Sequence, residues 1–223
     1  MRRSALWGLA DCRERWSLSL RGWLLLIVLL PGLGLVFFLR VYPFLAVTDR
    51  VPTDILVVEG WIPPYAVRAA VAEFKSGSYE HIYTTGGPVD GSAQDDSVSQ
   101  TSAYLVAARL GKAGLSEDLV QMVPSFTRDR DRTYSAAVAL RDWLHDHDVI
   151  VHGLNVATVG THARRTQLLY QKAFGDSVKV GVLAIPNEDF PAARWWRYSE
   201  GVRNVLSETI AYVYAKLFFS PSY

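Results

Sequence analysis

Cysteine is almost missing from this chain. The single Cys12 among 223 residues stands ahead of the first long apolar run, so the rest of the chain has no intrachain disulfide and no cysteine-based metal or redox site. A charge excess of either sign is missing too. The 23 Lys+Arg stand against 22 Asp+Glu, a formal net charge of +1, which gives no broad basic field for attracting nucleic acid. No nucleic-acid partner is expected, and electrostatic recognition has to be local. There is no GxGxxG or Walker fingerprint for dinucleotides or nucleoside triphosphates, and no GxSxG elbow or HExxH pair for serine hydrolysis or zinc proteolysis. Internal repeats and low-complexity tracts are also lacking. Hydrophobic residues make up 50% and aromatics 12%, which is too apolar for a disordered chain and fits a folded domain plus a membrane anchor.

The anchor is the clearest feature. From Gly22 to Leu39 no side chain is charged, a run of roughly 18 residues that reaches the lower limit for a helix spanning a hydrocarbon core. Pro31, Gly32 and Gly34 kink such a helix without abolishing it. Arg2, Arg3, Arg13, Arg15 and Arg21 precede the run, and only Arg40 and Arg50 follow closely. The positive-inside bias therefore places the N-terminus in the cytoplasm and the remainder in the periplasm or outside the cell, on a single-pass protein of the inner or plasma membrane. A retained anchor is expected over a cleaved signal peptide, because the run exceeds the usual signal core and no clean small-x-small site follows it. This divides the chain into a basic tail (1–21), a span (22–39), an extended connector containing Pro43 and Pro52 (40–53), and one α/β domain (54–223).

Within that domain short apolar runs alternate with helical patterns. Ile55-Leu56-Val57-Val58 reads as a central strand buried on both faces and ended by Glu59-Gly60. A helix over Tyr65 to Lys75 follows Pro63-Pro64, and further strands are expected over His81 to Thr84, Leu119 to Val123, Val156 to Val159 and Val178 to Ile185. Helices are expected over Ser99 to Leu110, Thr133 to Asp146 and His162 to Phe174. The alternation predicts a three-layer α/β fold, a doubly wound parallel sheet with helices on both faces. Ser199 to Phe219 shows an amphipathic period whose apolar side is expected to pack on the domain; contact with a membrane interface is the alternative.

Ligands of open α/β sheets bind beyond the C-terminal strand ends, so the loops after the strands supply the candidates. After the first strand come Glu59 and Gly60, and after the second Gly86 and Gly87, with Asp95 and Asp96 further along. The aspartates suit acid/base work or magnesium, or are simply solvated. The third loop, Ser125 to Thr133, alternates cations and carboxylates. It is either a self-paired surface loop or a source of donors from Arg132 and Thr133, with Thr133 able to cap the next helix. The fourth, Gly160-Thr161-His162-Ala163-Arg164-Arg165, places a hydroxyl, an imidazole and two guanidiniums at a helix start, the composition of an anion site. Taken singly, His162 reads equally well as a cap and the arginines as a solvated face.

Asp54 to Gly60, Thr84-Thr85-Gly86-Gly87, Ser125 with Arg132-Thr133, and Thr161 to Arg165 together resemble the YdcF/SanA/ElyC-like domain of unknown function. The resemblance runs from Asp54 to about Ile185. It implies a Rossmann-like domain behind one membrane helix, and a role in envelope, peptidoglycan or carrier-lipid metabolism for some members or nucleotide-like ligand binding for others. Where the family usually carries a Thr-x-Glu-Asn-like run this chain reads Arg132-Thr133-Tyr134-Ser135, so the role of that glutamate is absent or moved.

The expected function is thus a membrane-anchored envelope factor that binds a phosphorylated glycan or lipid-linked intermediate, with phosphoryl-group chemistry as an extension. In that scheme His162 is the acid/base, Asp96 a proton-transfer or metal group, and Arg164 and Arg165 are anion clamps. A non-catalytic scaffold for envelope proteins, using Trp195, Trp196 and Tyr198, and an S-adenosylmethionine or nucleotide enzyme are the alternatives. The sequence names no cofactor.

Overall fold

The computed structural model describes residues 19–89, 97–127 and 131–220, together with Ser4–Ala5 and Ala10–Asp11. Two compact units emerge, Met1–Arg40 and Val41–Tyr223. The first contains a short antiparallel pair, Ser4–Ala5 with Ala10–Asp11, and most of α1 (Leu20–Leu45). Helix α1 is apolar on every side, with Leu25, Ile27, Val28 and Leu30 each more than half exposed. It is the one helix among the described residues that is long and apolar enough to cross a membrane.

The helix runs six residues beyond the predicted end of the span, into what the sequence reads as an extended connector. Pro43 removes one N–H from the helical ladder. Three side chains on the same stretch, Val41, Tyr42 and Leu45, are buried in the second unit, and that burial keeps the turn helical. The connector proper is held against the sheet. Asp49 exchanges backbone hydrogen bonds with Val182, both 2.8 Å, and Val51 is gripped by the Asn155 side chain, which accepts from its N–H and donates to its carbonyl, both 2.9 Å.

The second unit is built on five parallel strands: β1 (Ile55–Glu59), β2 (His81–Gly86), β3 (Val120–Pro124), β4 (Gly153–Val159) and β5 (Lys179–Ile185), in the order β3-β2-β1-β4-β5. Alternation along β1 decides both layers. Leu56 and Val58 point to one face and pack with α2 (Pro64–Ser76) and α3 (Ser102–Lys112), while Ile55 and Val57 point to the other and pack with α4 (Arg132–Asp146) and α5 (Ala163–Phe174). This is the three-layer α/β arrangement that the alternation predicts. The chain winds outward from β1 through β2 to β3, then crosses back to β4 and β5. The direction of winding therefore reverses between β1 and β4, where a crevice opens beyond the strand ends.

Two starts within the domain differ from expectation by three residues. Strand β4 begins at Gly153, three residues early, because Gly153 and Leu154 already pair with Lys179 and Val180 of β5. Helix α3 starts at Ser102, since Thr101 at its N-cap accepts a hydrogen bond from the Tyr104 N–H. The C-terminal helix α6 (Ser199–Leu217) departs further. Gly201, Val205 and Ala215 are buried as an amphipathic helix requires, but Leu206, Ile210, Val213 and Leu217 are exposed.

Asn155 also donates to Tyr79 Oη at 3.0 Å, so one buried amide serves three partners. Replacing Asn155 with Ala strands them, and the expected cost is about 2–4 kcal/mol, read as a lower urea midpoint of the full chain in detergent micelles.

Candidate functional site

The site begins where β1 stops being apolar. Glu59 closes the strand and is only 3% exposed, and the backbone must then turn at once, with the Gly60 N–H donating to Thr85 O at 2.6 Å. A Cβ at Gly60 would run into the Ser102–Ala103 backbone, so only glycine permits this turn. Gly86, at the end of β2, is held at φ +147, and a Cβ there would overlap the Ser102 hydroxyl. Both glycines exist to let α3 approach the strand ends.

A buried carboxylate needs partners. Glu59 Oε2 accepts a hydrogen bond from Thr166 Oγ1 at 3.3 Å and lies 3.8 Å from His162 Nε2. His162 follows β4 in a short 3-10 turn, Gly160–His162, and its ring is turned inward, edge-on to Trp61 with centroids 4.9 Å apart. Its Nδ1 is 2.9 Å from Glu208 Oε1 on α6. Arg165, one turn further along α5, closes the cluster with a two-pronged grip on Glu208, Nε to Oε2 at 2.8 Å and Nη2 to Oε1 at 3.0 Å.

The proton arrangement follows from the partners. Burial works to raise the Glu208 pKa, but hydrogen bonds from His162 and Arg165 more than offset it and hold the carboxyl at about 2. Glu208 is therefore ionised and can only accept, so His162 Nδ1 carries the hydrogen. Arg165 Nη2, one of whose two hydrogens goes to Glu208 Oε1, also lies 2.9 Å from Nδ1. Nε2 is the remaining ring nitrogen. It is buried without a hydrogen-bond partner and faces Glu59. An imidazole oriented by one carboxylate and set beside a second is equipped for acid/base work.

Around this cluster lies a cavity of about 760 Å³. Of the residues expected from sequence, Glu59, Gly60, Gly86, Gly87, Arg132, Thr133, Thr161, His162 and Arg165 all line it. Two do not line it. Arg164 turns away, donating to the Phe44 carbonyl at 2.9 Å with its guanidinium over the Phe44 ring. Ser125 lines a second, smaller cavity beside α4. Asp96, with Asp95 and residues 128–130 of the third loop, lies outside the described residues. Thr133 is not a cap either, because α4 starts one residue earlier behind Asp131, which adopts a left-handed conformation at φ 57.

Sequence reasoning missed the contribution of α6. Glu208, Asn204, Tyr214 and Ala215 all reach the cavity wall, as does Phe219 just beyond the helix. Trp61, from the first loop, and Arg109, whose Nη1 donates to Ile62 O at 3.2 Å, complete the rim. Among the described residues no group of three or more His, Cys, Asp or Glu is placed to hold a metal ion. No protein-family model matches the chain, and no curated protein matches it.

The Glu208 cluster predicts a pH dependence. A carboxyl whose folded pKa of about 2 lies below its ordinary 4.5 contributes stability that is fully present above pH 4.5 and is lost as pH falls toward 2. Glu208→Gln is expected to lower stability at pH 7 by roughly 3 kcal/mol and to flatten the acid limb of a stability-against-pH curve. Some acid sensitivity persists, since the Arg50 hydrogen bonds hold Glu73 below its ordinary value as well. Thermal unfolding from pH 3 to 7 checks both statements, and an unchanged acid limb in the variant would contradict them.

Proposed function

We propose that the protein is a membrane-anchored factor of the cell envelope whose strand-end cavity binds a phosphorylated ligand, a glycan phosphate or a carrier-lipid intermediate. In this reading the N-terminal tail is cytoplasmic and the α/β domain lies in the periplasm or outside the cell. The observation that carries it is the composition of one cavity. The close backbone at Gly86 and Gly87 meets the first turn of α4 with Arg132 and Thr133, and the same space is lined by Leu105, Tyr214 and Phe219. Backbone N–H groups at a helix start and a guanidinium favour a phosphate, while the apolar wall favours a sugar face or a hydrocarbon chain. The resemblance to YdcF/SanA/ElyC-like domains supports the same address.

Binding stands ahead of turnover in this proposal. His162 is the acid/base of any phosphoryl-group step, with Glu59 beside it. Arg165 acts indirectly, because Glu208 already takes both of its prongs, and the anion contact is assigned to Arg132 on its place in the cavity wall at the start of α4.

Thermal-shift measurements on the full chain in detergent micelles, with polyprenyl phosphate, sugar phosphates, nucleotides and S-adenosylmethionine, test the ligand class. A hundredfold excess over Kd stabilises by about 2.7 kcal/mol. Phosphorylated lipid or sugar is expected to give a clear shift that the unphosphorylated alcohol does not. Arg132→Ala should weaken binding about tenfold or more, and Arg164→Ala should leave it unchanged. Equal shifts for phosphate and alcohol would remove the proposal, and a shift with S-adenosylmethionine alone would replace it.

A further inference from the structure

Helix α6 has two apolar faces, and the domain covers only one. Gly201, Val205 and Ala215 are buried, and Glu208 on the same side reaches His162. At 3.6 residues per turn, Leu206, Ile210, Val213, Tyr214 and Leu217 fall within an arc of about 100° centred on the opposite side, with Tyr214 at the edge of that arc, where it also borders the cavity. Their exposures are 56, 71, 43, 53 and 69%, and Phe218 beyond the helix is 71% exposed. Scattered exposed hydrophobics are ordinary on a protein surface. A continuous stripe over three turns of one helix is not, and marks a surface that another apolar phase covers.

We infer that this stripe lies on the bilayer into which the same chain is anchored, so that α6 is an interfacial helix. The inference rests on α1 being a membrane span and does not depend on the identity of the cavity ligand. Chain length carries the argument. The Phe44 ring meets Tyr212 of α6 edge-on, with centroids 5.3 Å apart. From Leu39, the last residue of the uncharged run, to Phe44 is five residues, at most about 17 Å of chain however the span is inclined. The bilayer surface is therefore within reach of α6 at all times, and no second protein has to be recruited to cover the stripe.

The details of the helix suit that phase. An amphipathic helix lies with its apolar face about 5–10 Å into the boundary between headgroups and acyl chains. The stripe mixes Leu, Ile and Val with Tyr214, and Phe218 follows at its end; aromatic rings are enriched at that depth. Lys216, exposed, stands near the C-terminal end of the stripe, where a long cationic side chain extends toward anionic headgroups, while Arg203 near the other end is paired with Glu200. A second copy of the chain is the competing occupant.

The test uses the full chain in lipid nanodiscs. In a Cys12→Ser background, single cysteines at Leu30, Ile210 and the exposed Asp142 of α4 carry an environment-sensitive fluorophore. Nitroxide groups at shallow acyl positions are expected to quench the Ile210 label about three-fold or more beyond the Asp142 label, with iodide showing the reverse order. Leu30 separates the two assumptions. If the Leu30 label is quenched by nitroxide and the Ile210 label is quenched by iodide as strongly as Asp142, α6 faces water and the inference fails while the span stands. If neither is quenched by nitroxide, both fail. A label at Ile210 shielded from both quenchers, with a copy-to-copy disulfide when the unlabelled cysteine is oxidised, assigns the stripe to a dimer and overturns the inference.

Discussion

The arrangement of this domain's functional end depends on a buried carboxylate at the tip of its central strand. An ionised glutamate taken out of water costs several kcal/mol unless opposite charge and hydrogen bonds accompany it. Glu59 ends a strand whose other four residues are wholly apolar and buried, so its partners have to come from neighbouring elements. Thr166 and Arg165 on α5, and His162 in the turn before it, supply them. Arg165 and His162 are in turn fixed by Glu208 on α6. Three elements separate in sequence are thus ordered around one side chain.

That constraint also explains the neighbouring chemistry. Tyr170 is fully buried, and burial with the nearby Glu59 charge raises its pKa well above the ordinary phenol range. Its hydroxyl is therefore a neutral hydrogen-bonding group, and it pairs with Thr85 Oγ1 at 2.8 Å. Thr85 is in this way committed to the core, although it sits at a strand end that faces the cavity. Among the described residues, His162 Nε2 and the Glu59 carboxylate are the groups of this cluster with hydrogen-bonding capacity left.

Much of this was legible in the sequence because β-strands and the turns after them are local. Ile55 to Val58 followed by Glu-Gly marks both a buried strand and the turn that borders the cavity. Thr161-His162 and Arg165 are legible for the same reason. Arg164 shows the limit. Two adjacent residues on a helix point about 100° apart, so only one of the Arg164–Arg165 pair can face the cavity, and the sequence does not say which. The choice is made by Phe44, 120 residues away, which takes Arg164. Glu208 was missed for a related reason: it is 46 residues from His162 and sits inside an apolar helical period. The signal was an acid three residues after Val205, on the face that an amphipathic helix buries, since buried acids are rarely without partners.

Helix α6 combines these threads. Its inward face carries the acid that orients His162, and its outward face carries apolar side chains that water does not favour. A rigid helix cannot move one face without the other. At about 1.5 Å of rise per residue, a slide by a single residue exceeds the tolerance of a 2.9 Å hydrogen bond. The geometry of the proton-bearing nitrogen is therefore tied to whatever holds the outer face in place. If α6 rests on a bilayer as proposed, the surface that holds its outer face also sets the position of Glu208 against His162.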